Sequence, residues 1–363
     1  MLFAVAAAHG EEFSWHLPPG FPRPIVPADN PMSQEKVQLG CHLYFDSRLS
    51  VTGAYACASC HRPELAFTDG RRTAVGATGE AVRRNSMTLT NVAYNLNMTW
   101  ADRAITSLEE QMRTPLFGTH PVEMGLSESD VPPAVRGDTA YAKAFTAAFP
   151  GDPAPLNLRN IISAIASFER TLISGRSAFD RYVYDDARDA LSAAAKHGME
   201  LFYSGRAGCA SCHFGLNFSG PIAYEQSDER VSIFANTGLY NVGGRGAYPH
   251  SDQGLIERSR NARDMGRFRV PTLRNIALTA PYMHDGSIAT LEEVIDHYAM
   301  GGREWNGDGV ASGRRNPHQA AQVRPLALSA DERADLVAFL RTLTDDRFTS
   351  PASTAACMRD TTE

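Results

Sequence analysis

Apolar residues recur at helical spacing in several stretches of this chain, and strand-like alternation is sparse. Ser33 stands where an N-cap belongs, ahead of Val37, Leu39 and Leu43, which predicts a helix ending near Phe45. Asn157 plays the same part ahead of Ile161, Ile165, Phe168 and Leu172. Over 186–203, Leu191, Ala194, Ala195, Met199 and Phe202 share one helical face, and Ser204-Gly205 breaks the pattern. Three pairs read as capping boxes: Ser107 with Glu110, Thr290 with Glu293, and Ser329 with Glu332. The last leads into Leu336, Val337, Leu340 and Leu343. After Thr290 the apolar positions are Leu291, Val294, Ile295 and Tyr298, so Tyr298 faces inward. Ahead of all these, 15–31 carries Pro18, Pro19, Pro22, Pro24, Pro27 and Pro31, the composition of an extended surface arm. The fold class is mainly α with long loops.

The pattern repeats. Residues 39–46 resemble 196–203, and Ala66–Gly70 resembles Asn217–Gly220. Between the members of each pair lies the same pentapeptide, Cys-Ala-Ser-Cys-His, at Cys57–His61 and Cys209–His213. The chain therefore predicts a duplicated unit of helix, motif and loop, hence two tandem cytochrome-like domains. Ser174-Gly175-Arg176 interrupts two helical patterns and sets the boundary near 175–185. The expected division is an apolar N-terminal segment and arm at 1–32, one domain at 33–178, a second at 179–347 and a tail at 348–363.

Cys-x-x-Cys-His has the spacing of c-type haem attachment: both thiols reach one porphyrin edge and the adjacent histidine points at the iron. A zinc ribbon built from both Cys pairs would call for neither histidine. Two covalently bound haem c groups follow, held by Cys57, Cys60 and His61 and by Cys209, Cys212 and His213. Cys41 and Cys357 are left over and read as structural.

With 363 residues, 43% of them hydrophobic, the chain has room for two cores. A net charge of −6 without a basic cluster argues against nucleic acid, and no apolar run is long enough to span a bilayer. The opening segment is apolar and ends in Ala6-Ala7-Ala8, without a basic flank, as a signal-peptide remnant does. Haem attachment of this kind belongs to the oxidising side of a membrane, so the expected location is the periplasm.

Arg84-Asn85-Ser86, Trp100, Gln111, Pro115, Pro-Val-Glu-Met-Gly at 121–125 and the run from Val270 to Gly286 resemble the dihaem cytochrome c peroxidase/MauG superfamily over about 33–345. The prolyl arm and Pro-Leu-Phe-Gly-Thr-His-Pro-Val-Glu at 115–123 are similar to its MbnH branch, the dihaem enzymes of methanobactin operons. In reductively activated members a second histidine blocks the first iron. Here Thr73–Gly79 has alanine where that histidine would lie, and no histidine occurs between His61 and His120. The resemblance thus implies an open first iron that meets hydrogen peroxide. It makes Glu123 the acid/base, Gln111 its hydrogen-bonding neighbour and Pro115 a wall of the pocket. The Pro115–Glu123 interval is longer than in those peroxidases, which leaves His120 and Glu128 as alternatives.

For the sixth ligand of the second haem, Met283, Tyr298 and Met300 compete. The resemblance assigns Tyr298, the position that is tyrosine in MauG. It also implies that Trp100 carries oxidising equivalents between the haems. Asn85, Thr279 and Pro281 would hold a calcium ion, the last two through carbonyls. MauG has an exit tryptophan where this chain has Ala207, so the exit falls to Trp305, Tyr203 or Tyr240.

The expected function is a peroxide-dependent oxidoreductase that spreads two oxidising equivalents over both irons as a high-valent, bis-Fe(IV) state. That state would oxidise an aromatic residue, a tryptophan, of a partner protein resembling MbnP. The alternative is a cytochrome c peroxidase fed electrons by a small cytochrome. A third reading, a non-enzymatic dihaem carrier, fits poorly with an open first iron.

Overall fold

Two helix crossings made on bare backbone organise the protein, which is described here by a computed structural model covering residues 13–304 and 311–350. The Gln34–Phe45 helix crosses Leu158–Arg170, and the Ala193–Tyr203 helix crosses Ala330–Arg341. Each crossing is closed by a glycine. A Cβ on Gly40 would lie 1.9 Å from the Ala164 carbonyl oxygen, and one on Gly198 would lie 1.9 Å from that of Asp335. Gly40 and Gly198 correspond in the duplicated segments, so the repeat read in the sequence is a repeat of this contact.

The helix ends follow their caps. Ser33, Asn157, Thr290 and Ser329 each accept a backbone N–H from the first turn, and the Thr290 and Ser329 boxes are reciprocal. Ser107 caps in one direction only, over the short Leu108–Gln111 turn. The helix expected over 186–203 is shorter than its periodicity. It begins at Ala193, because Ser192 takes the N–H of Ala195 and Asp186 adopts φ +53°. The only two-stranded pairing among the described residues is antiparallel, with Phe234 opposite Arg269 and Ala235 opposite Phe268.

Buried apolar side chains form two clusters. One gathers residues from Leu39 to Leu172 together with Phe348; the other runs from Phe179 to Leu343 and includes Ala101. Phe348 corrects the expectation of a tail from that residue onward: its ring packs 5.4 Å from Phe67 in the first cluster. The prolyl arm is likewise more than a covering. Phe21 lies under the Arg274 guanidinium at 4.8 Å, and the Pro22 carbonyl accepts from Tyr94 Oη at 2.8 Å.

A buried polar knot ties the clusters together. Asn91 donates to Ser174 O and to Asn217 Oδ1, while Asn275 donates to Ser174 Oγ and accepts from the Asp345 N–H. Asp345 in turn accepts from the N–H groups of Gly175 and Arg176. Asn91 and Asn275 have φ +57° and +59°, so they are equivalent turns in Thr88–Tyr94 and Thr272–Leu278. Cys41 is buried and disulfide-bonded; Cys357 and Trp305 lie outside the described residues.

Because neither crossing has room for a methyl group, Gly40→Ala and Gly198→Ala should each destabilise the protein by about 1–3 kcal/mol. Denaturant unfolding of the haem-loaded protein measures this, and unchanged midpoints would show that the crossings tolerate separation.

Candidate functional site

Both pentapeptides close into a single turn that sets the histidine directly beneath the first cysteine. The His61 N–H donates to Cys57 O at 3.0 Å, and the His213 N–H to Cys209 O at 2.9 Å. The imidazoles are then oriented alike. His61 Nδ1 lies 3.0 Å from Phe67 O, and His213 Nδ1 lies 2.8 Å from Phe218 O. A carbonyl can only accept, so each Nδ1 carries the hydrogen and each Nε2 keeps its lone pair, as an iron ligand must. Burial lowers the pKa of both rings and keeps them neutral. The accepting carbonyls are turned inward by Phe67 and Phe218 at φ +62° and +49°, a conformation bulky residues rarely hold. Their rings pay for it by packing, Phe67 against Tyr44 and Phe348, Phe218 against Phe179, Phe202 and Phe339.

Burial raises the thiols, Cys57 to about 12 and Cys60 and Cys209 to about 11, so they stay protonated. Among the described residues no three or more His, Cys, Asp or Glu side chains converge as metal ligands, which removes the ribbon geometry. The residues present fit haem: paired thiols, an oriented neutral imidazole, and at the first motif a cavity to receive the macrocycle.

That cavity measures about 670 Å³ and is lined by Cys57, Cys60, His61, Trp100, Gln111, Pro115 and Glu123 together with apolar side chains. Residues far apart in the sequence thus line one cavity. Desolvation raises the Glu123 carboxyl above the ordinary carboxylate range. Its backbone is held by the 73–79 stretch: Ala77 N–H donates to Glu123 O at 2.6 Å, and a Cβ on Gly76 would lie 1.9 Å from Val122 O. Ala74 itself lines the cavity. Of the two alternatives, His120 reaches the cavity but is exposed, while Glu128 lies at the surface in an ion pair with Arg113.

At the second motif, Tyr298 lies close enough to Cys209 and Cys212 that they, after burial, raise its phenol well above the usual value. Met300 is 41% exposed at the helix end, and Met283 packs on the second cluster at φ +74°. Trp100 packs against that cluster while lining the first cavity, and its indole N–H donates to Asn85 O at 2.9 Å. The Asn85 N–H donates to His284 O, which brings Asn85 to the loop containing Thr279 and Pro281. Tyr203 is 48% exposed with its ring on Phe202, and Tyr240 donates to Asp285 at 2.5 Å.

Two buried ionisable residues of the cavity carry no motif signal in the sequence. Glu169 is buried, pushed up to about 8 by desolvation, with Oε2 unpartnered. Arg269 is buried beside Trp100. Arg269 directly precedes the Val270–Gly286 run, the one hint the sequence held.

Comparison with known proteins agrees with this arrangement. The family model for di-haem cytochrome c peroxidase matches residues 34–188. The chain is 37% identical over 317 residues to the methylamine utilization protein MauG of Methylorubrum extorquens, covering 87% of this chain and 80% of that protein. It is 36% identical to the cytochrome-c peroxidase IdrP1 of a Pseudomonas species, covering 90% and 86%. Among solved structures, a MauG-like protein associated with microbial copper homeostasis superposes with a TM-score of 0.91 at 43% identity, covering 93% of this chain and 97% of that one. With its two haem-attachment motifs and its cavity in place, this chain belongs to the di-haem cytochrome c peroxidase/MauG family and is a dihaem oxidoreductase.

Proposed function

We propose that the protein is a peroxide-dependent oxidoreductase of the MbnH kind, which oxidises an aromatic residue, a tryptophan, of a separate small protein. The observation that carries this reading is the shared first cavity, in which His61 faces Gln111, Pro115 and Glu123 while Trp100 leads out toward the second cluster. Bound haem supplies the peroxide-reactive iron at His61 and a second redox centre at His213. Cys57, Cys60, Cys209 and Cys212 anchor the two groups, and Nε2 of each histidine is the ligand atom.

Glu123 takes a proton from peroxide and returns it to the leaving oxygen; Gln111 orients the substrate by hydrogen bonding and Pro115 narrows the pocket. Trp100, an oxidisable indole fixed by Asn85, links the two centres. Tyr298 would give the second iron a hard oxygen donor, which would favour its higher oxidation states over ordinary electron uptake. A calcium ion would be held by Asn85 with the carbonyls of Thr279 and Pro281, and would tie the Trp100 segment to the Pro281 loop. The two clusters are read as two haem domains, 33–178 and 179–347. The copper-homeostasis association of the structural relative supports the MbnH assignment, and an MbnP-like partner is part of that proposal. The periplasm suits covalent haem attachment, and no helix among the described residues is long and apolar enough to cross a membrane.

The second reading, a cytochrome c peroxidase, is favoured by the IdrP1 likeness. Peroxide added with an MbnP-like protein should leave an oxygenated tryptophan on that protein, seen by mass spectrometry. Peroxide-driven oxidation of a reduced small cytochrome, with the tryptophan intact, would select the peroxidase instead.

Glu123→Gln should slow the stopped-flow reaction with peroxide by about 10²–10⁴-fold. Since burial raises this carboxyl, its base form is gained only above the usual carboxylate range, and the wild-type rate should rise with pH through that displaced inflection. An inflection retained in the variant would move the role to another group. Tyr298→Phe should abolish the long-lived spectral change that follows peroxide, and Trp100→Phe should confine it to one haem. Wild-type spectra would remove each residue from the pathway. Metal analysis should find calcium in the purified protein and lose it in Asn85→Ala; calcium-free wild-type protein would end that assignment.

A further inference from the structure

Arg269 is a buried cation that no carboxylate among the described residues compensates. It is 4% exposed, on the Phe268–Arg269 strand, with its N–H donating to Trp100 O at 2.8 Å. Its Nε donates to Thr99 O at 3.3 Å, and one terminal nitrogen lies 3.7 Å from the Met87 sulfur. Among the described residues no carboxylate pairs with it. The other buried arginines are paired, Arg170 with Glu109 at 2.6 Å and Arg274 with Asp180 at 2.9 Å. Acids do line the same cavity, but Asp102 pairs with Arg258 and Glu257 with Arg83, and neither Glu123 nor the unpartnered Glu169 forms an ion pair with Arg269. Burial alone acts on Arg269, pulling it down to about 10. A buried unpaired charge is costly, and a guanidinium has five N–H donors to satisfy.

We infer that Arg269 is the docking point for a ligand carboxylate in the first cavity, specifically a haem propionate, gripped at the end of the cavity that adjoins Trp100. The inference rests on the haem reading of that cavity and adds the residue that fixes the group's rotation and position. The planar guanidinium matches a carboxylate with two parallel hydrogen bonds, which an ammonium cannot copy. Its backbone bond to Trp100 means that the strand holding the propionate also holds the indole between the two centres. A carboxylate there removes the charge imbalance and places the haem edge next to the proposed link.

The test uses the haem-loaded protein with Arg269→Met, which deletes the charge, and Arg269→Lys, which keeps charge but not the fork. Haem content is checked first. The readouts are the midpoint potential of the first haem and its propionate-bending band in resonance Raman spectra. Arg269→Met should lower the potential, because an uncompensated propionate favours ferric iron, and should shift the band. Arg269→Lys should retain most of the potential yet still shift the band. An unshifted potential and band in fully loaded Arg269→Met overturns the proposal. Where Arg269→Met does not accumulate folded, an unshifted band in Arg269→Lys overturns it. A wild-type potential that tracks added acetate, with the band unmoved by substitution, would mean a free small anion occupies the site and would likewise overturn it. Loss of partner oxidation alongside the expected band shift would count against the proposed function and leave this inference standing.

Discussion

Everything proposed for this protein depends on one hydrogen bond made twice, from a histidine Nδ1 to the carbonyl of a phenylalanine a few residues on. It fixes the tautomer, aims Nε2 and stops the ring from rotating. The geometry is held by packing. Phe67 and Phe218 sit at positive φ, a strain of order 1–3 kcal/mol offset by aromatic contacts that reach the helix carrying the preceding crossing. Tyr44, on the Gln34–Phe45 helix, both touches Phe67 and donates to His61 O at 2.6 Å. The glycine crossing, the strained turn and the imidazole are therefore one mechanical unit, present in each half.

Desolvation then gives the first cavity its chemical character. The same burial that raises Glu123 and Glu169 also lowers the imidazole of His61 and the guanidinium of Arg269. Neutral forms are favoured throughout, which suits a site where protons are exchanged and charge is admitted only with a partner. Arg269 is the exception that stays charged, with no carboxylate beside it among the described residues, the observation from which a ligand counterion is inferred.

The two halves are joined through polar contacts more than through a shared apolar core. Asn91, Ser174, Asn275 and Asp345 form a buried network in which each half supplies an asparagine turn, and Trp100 lines the first cavity while packing on the second cluster. Directional bonds of this kind set a distance and an angle. Apolar packing alone would leave the relative position of the two haem-attachment motifs less sharply defined.

By itself the sequence determined the local features: the caps at Ser33, Asn157, Thr290 and Ser329, the duplicated unit and both haem-attachment motifs. Each depends on residues within a few positions of one another, so spacing carries the whole signal. It overextended the 186–203 helix, because periodicity does not see that Ser192 is a better start than the residues before it. Only the tertiary structure distinguished Glu123 from Glu128, placing one in the cavity and the other in a surface ion pair. Only it set Tyr298 near the second motif with Met300 exposed, returned Phe348 to the first cluster, and revealed Glu169 and Arg269. Those distinctions depend on burial and on contacts between distant segments, which no pattern along a single stretch of chain encodes.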